Sequence, residues 1–137
     1  MKRSAKAVWS GSIKEGSGTF GTGSGAIQDQ AYSFRTRFDD APGTNPEELI
    51  AAAHASCFSM ALSAQLGERA ITPQSVETTS TITFENKTLT RSALRTIVKA
   101  RGADPKKIEE AASAAKVGCP ISKVLHLEIT LELDVEV

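Results

Sequence analysis

Aromatic residues are scarce in this chain: five Phe, one Tyr and one Trp in 137 residues. Its core must therefore be built mainly from Ala, Val, Leu and Ile. An excess of either charge is also missing, with 16 Lys and Arg against 16 Asp and Glu. That balance argues against a nucleic-acid binder held by phosphate neutralisation and removes the polybasic route to a membrane surface. No apolar run approaches the roughly 18 residues of a membrane span. The basic start, Met1-Lys2-Arg3-Ser4-Ala5-Lys6, is followed by no apolar h-region, so no signal peptide is expected. These absences make the cytoplasm the expected compartment, where structural disulfides are rare. Repeats, linkers and low-complexity tracts are absent too. The length suits one domain, residues 1–137, that buries about two thirds of its unfolded surface. Only two cysteines occur, Cys57 and Cys119, and in a reducing compartment they need a role other than a structural bridge.

Residues 7–40 read as β structure, punctuated at short spacing by Gly16, Gly18, Gly21, Gly23 and Gly25. Tyr32, Phe34, Thr36 and Phe38 alternate with Ser33, Arg35 and Arg37. This period of two predicts a half-buried strand with both arginines on its open face. Asn45-Pro46-Glu47-Glu48 starts a helix: Asn as N-cap, Pro at the first position, two carboxylates at the positive end of the dipole. Ile50, Ala53, Cys57, Met60 and Ala64 recur on one helical face, and Gly67 supplies a stop. The helix is apolar nearly all round, the mark of a buried central element. Val76, Thr78, Ser80, Ile82 and Phe84 then alternate with polar residues as a strand, with a return strand over 89–100. Asp104-Pro105 opens a second helix whose stripe is Ile108, Ala111, Ala112 and Ala115, ended by Gly118. From Leu127 to the end, apolar and polar residues alternate strictly, which predicts a strand with one buried face. Strands, helix, strand pair, helix, strand is the order of an α+β fold with helices on one side of antiparallel sheet. The first helix is too apolar for a thin layer, so a dimer that sandwiches it is expected.

The chemistry-bearing residues admit several readings. Cys57 on an apolar stripe can be a plain buried hydrophobe. Cys119 sits at a Gly-Cys-Pro corner, where a sulfur can be reached. A zinc site would need both cysteines together with His54 and His126, and no close pair-and-pair spacing supports it. A cysteine hydrolase would need a base; His54 at i−3 from Cys57 offers poor geometry and reads better as a helix histidine satisfied by a carbonyl. Thiol redox chemistry remains: a thiolate attacks a peroxide oxygen, an alkoxide leaves, and a second thiol traps the sulfenic acid as a disulfide. This requires a cation to lower the thiol pKa and donors for the peroxide oxygens, both of which arginine supplies. Arg35 and Arg37 are the candidates, and Glu47 could hold an arginine in a bidentate pair. Ten helical residues separate Glu47 from Cys57 by about 15 Å, so Glu47 would serve the Cys57 of a partner subunit unless the helix breaks. A non-enzymatic binding or structural protein with inert cysteines is the alternative.

Thr36-Arg37-Phe38, Gly43-Thr44-Asn45-Pro46-Glu47-Glu48-Leu49-Ile50, Ala52-Ala53-His54-Ala55-Ser56-Cys57-Phe58-Ser59-Met60-Ala61-Leu62 and Gly118-Cys119-Pro120-Ile121-Ser122 together resemble the osmotically inducible protein C (OsmC) family, within the OsmC/Ohr superfamily. The resemblance covers essentially the whole chain. It implies an intertwined homodimer with active sites at the interface. It also implies a thiol-dependent peroxidase that prefers organic hydroperoxides to hydrogen peroxide, in stress defence. Cys57 would be the peroxidatic cysteine, Cys119 the resolving one, Arg37 the activating cation and Glu47 its orienter. No metal or other cofactor is implied, and recycling would come from dihydrolipoyl groups or other dithiols. Ser56 departs from the family's usual Ala without bearing on the chemistry. Ile50, Phe34, Phe38, Phe58 and Met60 would be apolar enough to line a pocket for an alkyl or lipid peroxide, or could equally be core.

Overall fold

A computed structural model describes residues 1–137. Contacts divide the chain into two compact units, Met1–Leu49 and Ile50–Val137.

In the first unit, β1 (Ala5–Ser10), β2 (Ser17–Thr22) and β3 (Gln30–Tyr32) form an antiparallel meander in that order. Gly18 opposes both Trp9 and Tyr32, whose rings lie 5.5 Å apart. A Cβ at Gly18 would fall 2.6–2.7 Å from those two rings, so only glycine lets them cover the strand. The expected strand through 32–38 ends at Tyr32. Phe34–Phe38 is instead a short helix, α1. The cause is local: Ser33 and Thr36 form a capping box, in which Thr36 N–H donates to Ser33 Oγ and Ser33 N–H donates to Thr36 Oγ1. Phe34 and Phe38 satisfy the i, i+4 spacing of a helix as well as the alternation of a strand, and their rings meet at 4.8 Å.

The long helix α2 runs unbroken over Pro46–Glu68. Asn45 caps it, its Oδ1 accepting from Glu48 N–H at 2.9 Å. Within the second unit, its inward stripe is His54, Phe58, Leu62 and Leu66, all fully buried. This differs from the expected Ile50, Ala53, Cys57, Met60 and Ala64 stripe. The sheet takes the face with the larger side chains, each worth about 1.5–3 kcal/mol when buried. Ala53, Met60 and Ala64 stay exposed, Met60 at 76%, so α2 is covered on one side only. By length and composition the helix would suit a membrane span, contrary to the expectation from the sequence; its packed stripe is that of a core helix.

The stop also lies elsewhere than Gly67. Ile71 N–H donates to Leu66 C=O and Ala70 N–H to Gly67 C=O, a Schellman closure with Ala70 in the left-handed region at φ 58°. An alanine there is strained. Ala70→Gly is therefore expected to stabilise the fold by about 0.5–1 kcal/mol, read as a higher urea midpoint with an unchanged slope.

The second sheet has the order β4 (Ser75–Glu85), β5 (Thr88–Lys99), β6 (Glu128–Glu136). β4 and β5 are an antiparallel hairpin, but β6 runs parallel to β5. The sheet is therefore mixed, because α3 (Pro105–Gly118) and α4 (Pro120–Val124) form a crossover between β5 and β6. The core of this unit joins the α2 stripe, Leu94 and Val98 of β5, and Ile108, Ala111, Ala112 and Ala115 of α3, as the periodicity predicts. The outer face carries a ladder of exposed ion pairs: Arg91–Glu128, Arg95–Asp134 and Lys99–Glu136. Exposed pairs of this kind add little stability; they mark the solvent side.

Candidate active site

Cys57 projects from the middle of α2, one position before the buried Phe58. Cys119 is both the last cap of α3 and the first of α4, since Pro120 forces a new start. The corner folds Cys119 inward to 0% exposure, unlike the accessible sulfur expected of a chain reversal, while Cys57 is only half-buried. Both are free thiols, with Sγ atoms 3.1 Å apart. That is about 1 Å beyond a disulfide bond, across 62 positions of sequence.

Burial acts to raise the Cys119 thiol. The Ser122 backbone N–H, the Cys57 thiol, the Ser122 hydroxyl and the Ile121 N–H outweigh it, and the net direction is down. The Cys119 side chain makes no cap hydrogen bond at the start of α4; the N–H groups act on the sulfur as favourably directed dipoles. Cys57 shifts the other way. Burial raises it and Cys119 adds to the rise, against a smaller lowering from the Ile121 N–H. The Cys119 thiol donates to the Cys57 sulfur at 3.1 Å, while the donors around Cys119 act to ease its ionisation and burial holds Cys57 up. No cation is among the groups that act on Cys57.

Arg37 and Glu47 meet in the first unit. Arg37 Nε donates to both Glu47 carboxylate oxygens at 3.1 and 3.3 Å, and Nη2 donates to Oε1 at 2.8 Å. The guanidinium also lies 5.2 Å from the Phe38 ring. Asn45 ties the two elements together, its Nδ2 donating to Thr36 C=O at 3.0 Å. Arg35, the other candidate, makes no ion pair. Beside Arg37, an open hollow of about 200 Å³ is lined by Trp9, Ile13, Tyr32, Phe34 and Phe38. Phe58, expected as a possible pocket residue, is in the core.

The structure thus brings the four predicted residues together as two pairs, Cys57 with Cys119 and Arg37 with Glu47. His54 is buried between two hydroxyls, Ser92 at 2.6 Å from Nδ1 and Ser122 at 2.8 Å from Nε2, rather than against a carbonyl. The sequence alone assigned neither serine a role. No group of His, Cys, Asp and Glu is arranged to hold a metal ion.

Fold and site define a class: α+β proteins with two facing thiols, one on a long central helix and one at a helix corner. The pattern of OsmC-like proteins matches residues 38–134, and the chain belongs to that family. It is 46% identical over 136 residues to the peroxiredoxin OsmC of Escherichia coli (strain K12), a match covering 96% of this chain and 95% of that protein. The peroxiredoxin OsmC of Shigella flexneri is equally similar. Among solved structures, an organic hydroperoxide resistance protein OsmC from Legionella pneumophila is 25% identical with a TM-score of 0.70, covering 98% of this chain and 97% of that one. An OsmC-like protein from Mycoplasma pneumoniae shares the fold at 16% identity, TM-score 0.76, with 100% and 99% covered.

Proposed function

We propose that this protein is a thiol peroxidase that reduces organic hydroperoxides through Cys57, with Cys119 resolving the oxidised sulfur as an intramolecular disulfide. The observation that carries the reading is the pair of free thiols 3.1 Å apart, one half-buried and one fully buried. A peroxide can reach the first sulfur, and the second waits behind it. The thiolate of Cys57 attacks the peroxide oxygen, the O–O bond breaks, and the alkoxide leaves as alcohol after taking up a proton. Cys119 then attacks the sulfenic sulfur, an S–S bond forms, and water departs. An external dithiol, such as a dihydrolipoyl protein, returns both cysteines to thiols. A reducing, cytoplasmic compartment suits that cycle.

Cys57 needs a cation, because its surroundings in the chain hold its thiol up. Arg37 is the group built for this, fixed by Glu47 and flanked by an aromatic hollow suited to an alkyl chain. α2 is unbroken between Glu47 and Cys57, a span of about 15 Å of helix axis. Arg37 therefore serves the Cys57 of a second copy, in a homodimer with its sites at the interface. The exposed Ala53, Met60 and Ala64 face of α2 gives such a copy an apolar surface to cover.

Titrating the reduced protein with cumene hydroperoxide tests the reading. One equivalent should yield one equivalent of alcohol and a protein lighter by two hydrogen masses, with the bond mapped to Cys57–Cys119. A protein that stays reduced under equimolar peroxide would overturn it.

A further inference from the structure

His54 is a fully buried titratable group that the cycle above does not use. It sits one turn before Cys57 on α2, and its ring bonds to Ser92 on β5 and Ser122 on α4. Ser92 in turn meets Ser80 of β4 at 3.0 Å. The groups facing the ring from both packed elements are neutral hydroxyls; no carboxylate or cation is among its partners. Burial alone acts on the imidazole and pushes its pKa down, so it is neutral at physiological pH.

A neutral imidazole donates from one nitrogen and accepts at the other. With hydrogen on Nε2, the ring donates to Ser122 Oγ, and the Ser122 hydroxyl hydrogen is free to turn elsewhere. Nδ1 then accepts from Ser92, and Ser92 accepts from Ser80. Ser122 is the third residue of α4, whose N-cap is Cys119, and its hydroxyl is among the groups that act on the Cys119 sulfur. Every hydrogen in the chain Ser80, Ser92, His54, Ser122 then runs toward the Cys119 sulfur. With hydrogen on Nδ1 instead, Nε2 would take the Ser122 hydrogen and the sulfur would lose a donor.

We infer that His54 is a positioning residue for the resolving step, holding the Ser122 hydroxyl aimed at the Cys119 sulfur. The net lowering of Cys119, to which the Ser122 hydroxyl contributes, agrees with this. The role in turnover rests on the peroxidase reading above; the effect on ionisation does not. In the resolving step the Cys119 thiolate attacks Cys57 Sγ, the S–S bond forms as the Cys57 S–O bond breaks, and the hydroxide takes a proton from solvent to leave as water. A protonated Cys119 would stall there.

The test has two readouts. The first is the ultraviolet absorbance of the thiolate across a pH titration in a Cys57→Ser background, where Cys119 is the sole thiol and no peroxide is involved. Ser122→Ala should raise the Cys119 midpoint by about one pH unit, a tenfold loss of thiolate at a given pH below it. His54→Gln, whose amide can reach Ser122, should hold the midpoint near the parent value. His54→Asn, which reaches Ser92 but not Ser122, should raise it as Ser122→Ala does. The second readout is disulfide formation after one equivalent of peroxide, with Cys57 intact. His54→Asn should slow it about tenfold, in proportion to the lost thiolate, and leave Cys57 oxidation within about twofold of the parent.

An unmoved midpoint in folded Ser122→Ala, or equal midpoints for the Gln and Asn variants, would overturn the inference. If the His54 variants do not fold, the Ser122→Ala midpoint decides alone. A parent protein that ignores peroxide would sink the peroxidase reading, while the titration would still judge His54.

Discussion

Cys57→Ser is expected to reduce hydroperoxide consumption to the uncatalysed background, whereas Cys119→Ser should keep its first turnover and then stall without a resolving thiol. The peroxide-reducing species is a thiolate, and a serine hydroxyl does not ionise in the working range. The two substitutions matter as a pair because charge and access point to different sulfurs. Electrostatics within the chain lower the Cys119 thiol and raise that of Cys57. Access favours Cys57, since Cys119 has no exposed surface. Access decides the first step, because a peroxide oxygen must meet the sulfur in line. In the proposed cycle the lowering of Cys119 serves the second step, where its thiolate attacks a neighbour that has become electrophilic. If Cys119→Ser were the variant that lost the first turnover, the order of the two cysteines would be reversed. The pH dependence has a definite sign. A raised Cys57 pKa means that its thiolate fraction grows as pH rises through that value, so the rate of the first step should climb with pH and level off above it. Any cation brought to Cys57 moves that rise to lower pH.

Most elements were legible because their periods are strong and their boundaries carry chemistry. Asn45-Pro46 and Asp104-Pro105 mark helix starts through side-chain oxygen and fixed φ, and the structure begins α2 and α3 there. The alternation marks the inward residues of β4 from Val76 to Ile82 and of β6 from Ile129 to Val135, while Phe84, past a bulge at Thr83, is exposed. Where the reading failed, two patterns fitted one sequence. Tyr32, Phe34, Thr36 and Phe38 satisfy a strand, but Phe34 and Phe38 are also i, i+4, and the Ser33–Thr36 box decided for a helix. On α2, two faces are apolar, and hydrophobicity alone does not say which one the sheet takes; size does, through Phe58, Leu62 and Leu66. The parallel pairing of β6 with β5 follows from the crossover path of α3 and α4, which no local pattern records. For the site, residue types were sufficient to single out Cys57 and Cys119, but not to place them 3.1 Å apart across 62 positions. The Arg37–Glu47 pair was suggested by charge and by resemblance, and its three contacts are a matter of geometry. Ser122 drew attention only as part of the Gly118–Ser122 motif; its relation to Cys119 and His54 is purely three-dimensional.

Arg37→Ala is expected to slow the reaction of Cys57 with peroxide by about 10²-fold, the usual loss when one preorganised donor to a developing charge is removed. Its pH profile should also move upward, because the thiolate would lose the cation that holds it. Glu47→Gln should produce a smaller loss of the same kind. It leaves the guanidinium charged but replaces a bidentate carboxylate, with contacts of 2.8, 3.1 and 3.3 Å, by an amide that can accept at only one atom. The stronger test asks in which chain Arg37 acts. The Arg37→Ala and Cys57→Ser proteins are each nearly inactive alone. If Arg37 activates the thiol of a second copy, a mixed dimer contains one site with Cys57 from the first variant and Arg37 from the second, both intact. Random exchange at equal concentrations makes half of the dimers mixed, each with one complete site of two, so roughly a quarter of the parent activity should return. If Arg37 acted on the Cys57 of its own chain, no mixed dimer would hold a complete site, and the mixture would show only the mean of the two variants. The amount recovered after unfolding and refolding the variants together therefore separates activation across an interface from activation within one chain. A recovery near zero, with exchange verified by mass, would remove the partner's arginine from the mechanism.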